Sequence, residues 1–183
     1  MDIQRARAIA RERTEKETTY RHLVSVEGVM RALARRLGED VELWARTGLF
    51  HDLDQDQTGG GDDVEQHARL AAEWLRAEGE DERVINGVLA HAYKEYRTDA
   101  MSRAVVHADA VAGLLVAAAL VRPEKATGMK VSSVKKKLKE KAFAPGVNRD
   151  EVYGAEEALG MPLDDFIATG IEGLQLVAPD IGL

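Results

Sequence analysis

The chain has 183 residues, 45% apolar and 31% charged, which is the size of one domain with enough apolar surface to bury a sizeable core. A formal net charge of -7 argues against general nucleic-acid binding and for solubility. With no cysteine there can be no disulfide, thiolate metal site or cysteine nucleophile, so any transition-metal site must use His, Asp and Glu.

The first residues, Met1 to Arg7, lack the apolar core of a signal peptide, which predicts a cytoplasmic protein. Arg5 to Thr18 is rich in charge and helix formers and reads as a solvated first helix. A second helix is predicted from Tyr20 to Leu37, where Leu23, Val26, Met30, Leu33 and Leu37 recur at three-and-four spacing, and Gly38 ends it. His22, four residues before Val26, points to that same buried face. Asp40 caps the following helix, whose stripe Val41, Trp44, Ala45, Gly48, Leu49 and Asp52 closes on the pair His51-Asp52. An adjacent His and Asp at the end of an apolar helix offer a nitrogen and a carboxylate from one rigid point, a mixture that suits Mn, Fe, Co, Ni or Zn.

A polar loop follows from Leu53 to Asp63, its three glycines allowing wide backbone excursions. Asp62 or Asp63 is expected to cap a helix that places Val64, His67, Ala68, Ala71 and Leu75 on one face. Glu80 to Ala92 reads as another helix, with Val84, Val88 and His91 on one side. From about Ala100 a long helix carries Val105, Asp109, Ala112 or Gly113, Val116 and Leu120 along one stripe. Its apolar run from Ala110 to Val121 is shorter than the about 20 residues a membrane crossing needs, so it reads as a buried core helix and no membrane partner is expected. Asp109 is an acid in that apolar stripe, and a buried unpaired carboxylate costs several kcal/mol. It needs a cation. His107 lies about 200° around the helix from Asp109, which predicts a structural or supporting role rather than ligation.

From Val121 to Asp150 there are nine Lys or Arg against three acids, a local charge of +6, whereas Glu151 to Leu183 has seven acids and no base. The lysine-rich segment 130–141 reads either as a basic helix facing water and the acidic tail or as a phosphate-recognising surface beside the site. Two more helices are predicted, Arg149 to Leu159 and Leu163 to Val177. No strand pattern appears, so the expected class is all-α.

His22, His51, Asp52, His67, His91 and Asp109 each fall on the inward face or the end of a predicted helix. Any one of them fits a structural role, but six in one small domain point to a metal centre. Their order and spacing resemble the HD superfamily of metal-dependent phosphohydrolases, named for the His-Asp dipeptide. More closely, the chain is similar to a bacterial and archaeal subfamily of small HDIG-type hydrolases. The residues that carry this are His22-Leu23-Val24-Ser25-Val26-Glu27, Gly48-Leu49-Phe50-His51-Asp52-Leu53-Asp54, His107-Ala108-Asp109 with Gly113-Leu114, Ala119-Leu120-Val121-Arg122-Pro123, Val131-Ser132-Ser133-Val134-Lys135-Lys136-Lys137 and Gly146-Val147-Asn148-Arg149-Asp150.

The resemblance implies an HD-type helical bundle over residues 20–121, with a C-terminal helical extension, 122–183, packed on it in one domain. It also implies that His22, His51, Asp52 and Asp109 bind one divalent metal (Mn, Fe, Co, Ni, Mg or Zn), and that Asp52 bridges to a second held by His67 and His91. Two such metals can activate a water against a phosphate ester, so the expected partner is a small phosphorylated substrate. Lys94 and Arg97, just beyond His91, are expected to meet its phosphate, or else to be exposed loop charges. Two alternatives stay open: a di-iron oxygenase using the same six residues, and a non-catalytic nucleotide-binding sensor.

Overall fold

The computed structural model describes residues 1–59 and 65–183, and among them there is no strand. The all-α expectation holds. Helix α1 (Ile3–Arg13) is capped by the Asp2 side chain on Arg5 N, and α2 (Glu17–Leu37) ends at Gly38 with φ 75°. The break between them comes earlier than the sequence pattern suggests, because the Asp56 carboxylate accepts from Glu15 N, Lys16 N and Thr19 Oγ1 and so starts α2 at Glu17. Nor is α1 merely solvated. Ala6, Ile9 and Ala10 are buried, and Arg7 donates 2.8 and 3.2 Å bonds to the fully buried Glu27, which also takes Arg31.

Helix α3 (Val41–Phe50) is capped by Asp40 through Glu42 N and Leu43 N, as its sequence predicts. A single turn, α4 (Gln55–Thr58), leads to α5 (Arg69–Ala77), which starts several residues later than the sequence pattern predicts. Asp62, Asp63 and Val64 lie outside the described residues. The described N-terminus of α5 is capped from a distance: Asp54 Oδ2 accepts from Ala71 N at 3.0 Å. His67 therefore sits in the turn before the helix, not on its face, and Ala68 takes a left-handed φ of 65° to make that turn.

Helix α6 (Glu82–Ala92) is capped by Asp81, and a short 3₁₀ turn over Lys94–Tyr96 follows. The central helix α7 (Ala100–Leu120) opens with a reciprocal capping box between Asp99 and Ser102. Among the described residues it alone is long and apolar enough to cross a membrane, yet most of its length is buried in the fold. Helices α8 (Val131–Lys139), α9 (Arg149–Leu159) and α10 (Leu163–Val177) complete the chain.

Two close helix approaches set the frame. A Cβ on Gly48 would stand 2.8 Å from Val26 O, so α3 crosses α2 almost backbone to backbone. Gly28 and Gly173 do the same for α2 and α10: a Cβ on Gly173 would stand 2.5 Å from Gly28 O. This contact draws the C-terminal helices onto the bundle. Phe166, Ile167 and Leu174 of α10, Val134 and Leu138 of α8, and Val152 of α9 join α2 and α7 in one apolar cluster. The Arg149 guanidinium stitches the loop before α9, donating to the carbonyls of Leu138, Glu140, Phe143, Ala144 and Val147.

Candidate metal centre

Five elements deliver the six residues to one place. His22 comes from the first turns of α2, His51 caps α3, and Asp52 follows in the turn. His67 precedes α5, His91 ends α6, and Asp109 lies midway along α7. His22 Nε2 is 3.2 Å from His51 Nε2 and 3.0 Å from Asp109 Oδ1. His51 Nε2 is 3.7 Å from both Asp52 Oδ2 and Asp109 Oδ1. The other Asp52 oxygen, Oδ1, faces His67 Nε2 at 3.2 Å and His91 Nε2 at 3.1 Å. Asp52 thus presents one oxygen to each half of the cluster.

Neighbouring groups decide which ring nitrogens point inward. His51 Nδ1 donates to Gly48 O at 2.7 Å, which leaves Nε2 as the lone pair facing the centre. His67 Nδ1 donates to Asp54 Oδ1 at 2.9 Å and likewise turns Nε2 to Asp52. The sequence places Asp54 in the polar loop and at the end of the His-Asp motif without giving it a role of its own. It is fully buried, and by holding both His67 and the start of α5 it fixes a ring that the described helices do not. The signal was its place two residues after Asp52, inside the motif.

The electrostatics are those of imidazoles and carboxylates packed against one another. Burial alone would lower the His51 pKa, but the carboxylates of Asp52 and Asp109 outweigh it and hold it at about 9. Burial also opposes protonation of His67, and the carboxylates of Asp52 and Asp54 raise it to about 10. Burial would raise both carboxyls. The attraction of His51 and His91 instead holds Asp52 well below the usual carboxylate range, and His22 and His51 do the same for Asp109. Even so, among the described residues Asp52 Oδ1 meets its two imidazole neighbours without an aligned hydrogen bond, and His91 Nδ1 has no hydrogen-bond partner. An orphaned carboxylate oxygen among imidazole nitrogens, with two Nε2 atoms 3.2 Å apart, is what a divalent ion resolves. Two triads have ligand atoms close enough to share an ion, His22, His51 and Asp109, and His51, Asp52 and His91.

Of the two basic residues beyond His91, Lys94 is exposed in the 3₁₀ turn. Arg97 donates through Nε to Ala90 O at 3.0 Å and through Nη2 to His91 O at 3.3 Å, so it holds the end of α6 and with it the His91 backbone. His107 stands apart, its Nδ1 donating to Glu151 O at 2.6 Å, and burial lowers its pKa. The Glu151 carboxyl, missed in the sequence reading, is half-buried. Burial and the nearby Asp109 raise its pKa, against the pull of Arg97, His91 and Lys94. Two of the lysines of α8 have partners away from the cluster: Lys135 pairs with Asp164 and Lys137 lies over the Phe143 ring.

The HD domain family model matches residues 19–121, which contain all six clustered residues. Ribonuclease Y 2 of Levilactobacillus brevis is 33% identical over 96 residues, covering 50% of this chain and 17% of that protein. Ribonuclease Y of Enterococcus faecalis is 35% identical over 97 residues, covering 52% and 18%. Ribonuclease Y of Geobacter metallireducens is 31% identical over 101 residues, covering 53% and 18%. This chain therefore spans less than a fifth of the length of these relatives. No solved structure matches.

Proposed function

This chain belongs to the HD domain family, and from that premise we propose that it is a metal-dependent phosphohydrolase that cleaves a phosphate ester at a two-ion centre. The observation that carries the reading is the split of the Asp52 carboxylate, with Oδ2 toward His51 and Oδ1 toward His67 and His91. We assign His22, His51, Asp52 and Asp109 to one ion, and Asp52, His67 and His91 to the other. Divalent ions there supply Lewis-acid polarisation of a phosphoryl oxygen and lower the pKa of the attacking water.

The residues supply position and charge. Gly48 O and Asp54 hold the rings of His51 and His67 so that Nε2 faces inward. Asp52 ties the two halves together, and no side-chain nucleophile is required. Lys94, exposed beyond His91, meets the phosphate and stabilises charge that builds on its oxygens. Arg97 shares that role only through the face its bonds to Ala90 O and His91 O leave open, and it also positions His91.

The relatives are named for cleavage of RNA, a phosphate diester, so diesters join monoesters in the substrate panel. The net charge of -7 favours a small ester over a long polyanion. The test is phosphate or nucleotide release from nucleoside monophosphates, cyclic nucleotides, dinucleotides, short RNA and simple aromatic and alkyl esters such as phenyl phosphate, with Mn, Co, Ni, Mg and Fe supplied in turn. Turnover that depends on one of these ions is the expected result. Protein that retains no metal and is activated by none, or that takes up oxygen with iron instead of releasing product, would overturn the reading.

A further inference from the structure

The stripe of α7 that carries Asp109 continues through Gly113, Val116 and Leu120, four, seven and eleven residues on, and these lie on one face of the helix. The sequence pattern reads that stripe as core. In the structure its lower half is left uncovered: Gly113 and Val116 are only half-buried and Leu120 is 66% exposed, while Val111, Leu114 and Leu115 on the other face are fully buried. Opposite it, the first turns of α2 bring His22 with Thr18 and Arg21. The space between is a cleft of about 210 Å³, closed at its far side by Ile181 and Leu183.

His22 lines this cleft and belongs to the metal cluster as well, so one side chain borders both. The larger groove between α2 and α10, about 590 Å³ and lined by residues such as Arg35, Arg36 and Glu172, contains none of the six clustered residues. The far wall of the cleft is fixed in place. Leu183 N donates to Ala178 O at 2.9 Å, and Lys125 Nζ donates to Gly182 O at 2.6 Å.

We propose that this cleft receives the organic group of the ester while the phosphoryl group sits at the metal cluster, and that it selects an aromatic or branched alkyl group. The proposal rests on the phosphohydrolase reading for the place of the phosphate. At interior packing density the volume admits about ten non-hydrogen atoms. Val116, Leu120, Ile181 and Leu183 present carbon to it, so apolar surface is removed from water on binding. A sugar in the same place would set its hydroxyls against those side chains and lose their bonds to water. Thr18 and Arg21 at the rim offer the few polar contacts. Ile181 and Leu183 come from beyond the family match at 19–121, so the selection is shared between α7 and the C-terminal segment.

The test compares phenylphosphonate with methylphosphonate, which cannot be hydrolysed as esters, by calorimetry on protein loaded with Mg or Zn. Phenylphosphonate is expected to bind about tenfold more tightly. Val116→Phe, which fills the cleft, should bring that ratio close to one. Leu120→Ala, at an exposed position that tolerates truncation, should lower it to about threefold. Methyl NMR gives a readout independent of turnover: phenylphosphonate should shift the methyls of Val116, Leu120, Ile181 and Leu183. Equal affinity for the two ligands, no binding of either, or shifts confined to other methyls overturns the subsite. The phosphohydrolase reading stands or falls separately, on product release from the ester panel.

Discussion

Asp54→Asn offers the most direct probe of how the centre is held. The carboxylate accepts two bonds at once, from His67 Nδ1 at 2.9 Å and from Ala71 N at 3.0 Å, and it is fully buried. An amide has one acceptor oxygen, so Asn must turn its NH₂ toward one of two donors. If the NH₂ faces Ala71, a buried N–H at the start of α5 loses its partner, which costs about 1–3 kcal/mol. If it faces His67, the ring must take its proton on Nε2, the atom assigned above to the second ion. A cost near 2 kcal/mol would lower the melting temperature of the metal-free protein by about 4–8 °C at this chain length. Metal binding should weaken by about 10–100-fold at the step that uses His67, or about 1.4–2.8 kcal/mol. The step that uses His22, His51 and Asp109 should change little. Calorimetric titration of wild type and variant, with melting curves in a chelator, reads both effects. If melting falls while both binding steps keep their affinity, Asp54 is a helix cap only, and its role in orienting His67 is refuted.

Other outcomes follow from the same geometry. Asp52→Asn should abolish turnover and metal retention while the helical circular dichroism persists; full activity would reduce the His-Asp pair to a helix end. In the metal-free protein His51 and His67 have folded pKa values of about 9 and 10, above the about 6.5 of the unfolded chain. Their contribution to stability is therefore complete below about pH 6.5 and is lost as pH rises through about 9–10, so melting in a chelator should fall across that window. Metal must displace those protons, so its apparent affinity should instead rise with pH, with proton release measurable in weak buffer. Gly173→Ala sets a Cβ 2.5 Å from Gly28 O and 2.6 Å from Val29 Cα. A loss on the order of 3 kcal/mol is expected, read as a lower melting temperature. Replacing Lys135 and Lys137 by Ala should leave KM and its salt dependence unaltered, since these side chains serve Asp164 and Phe143; a raised KM would show that α8 borders the substrate after all.

Local chemistry wrote most of the helices into the sequence. Gly38 as a helix stop, Asp40 as a cap, and the three-and-four apolar spacing of α2 are interactions between residues a few positions apart, and they read directly. The six clustered residues were legible for a related reason: each stands at a helix end or on an inward face, and polar groups there are too few to pass unnoticed. Long-range contacts decided the rest. Asp54 caps α5 from 17 residues away and Asp56 starts α2 from about forty residues away, so neither boundary is visible in its own neighbourhood. Periodicity showed that Val116 and Leu120 share a face with Asp109, but not whether another helix would cover that face. Only the packing of α2, α10 and the chain's last residues leaves it open beside His22, because burial depends on what the rest of the chain brings to a surface.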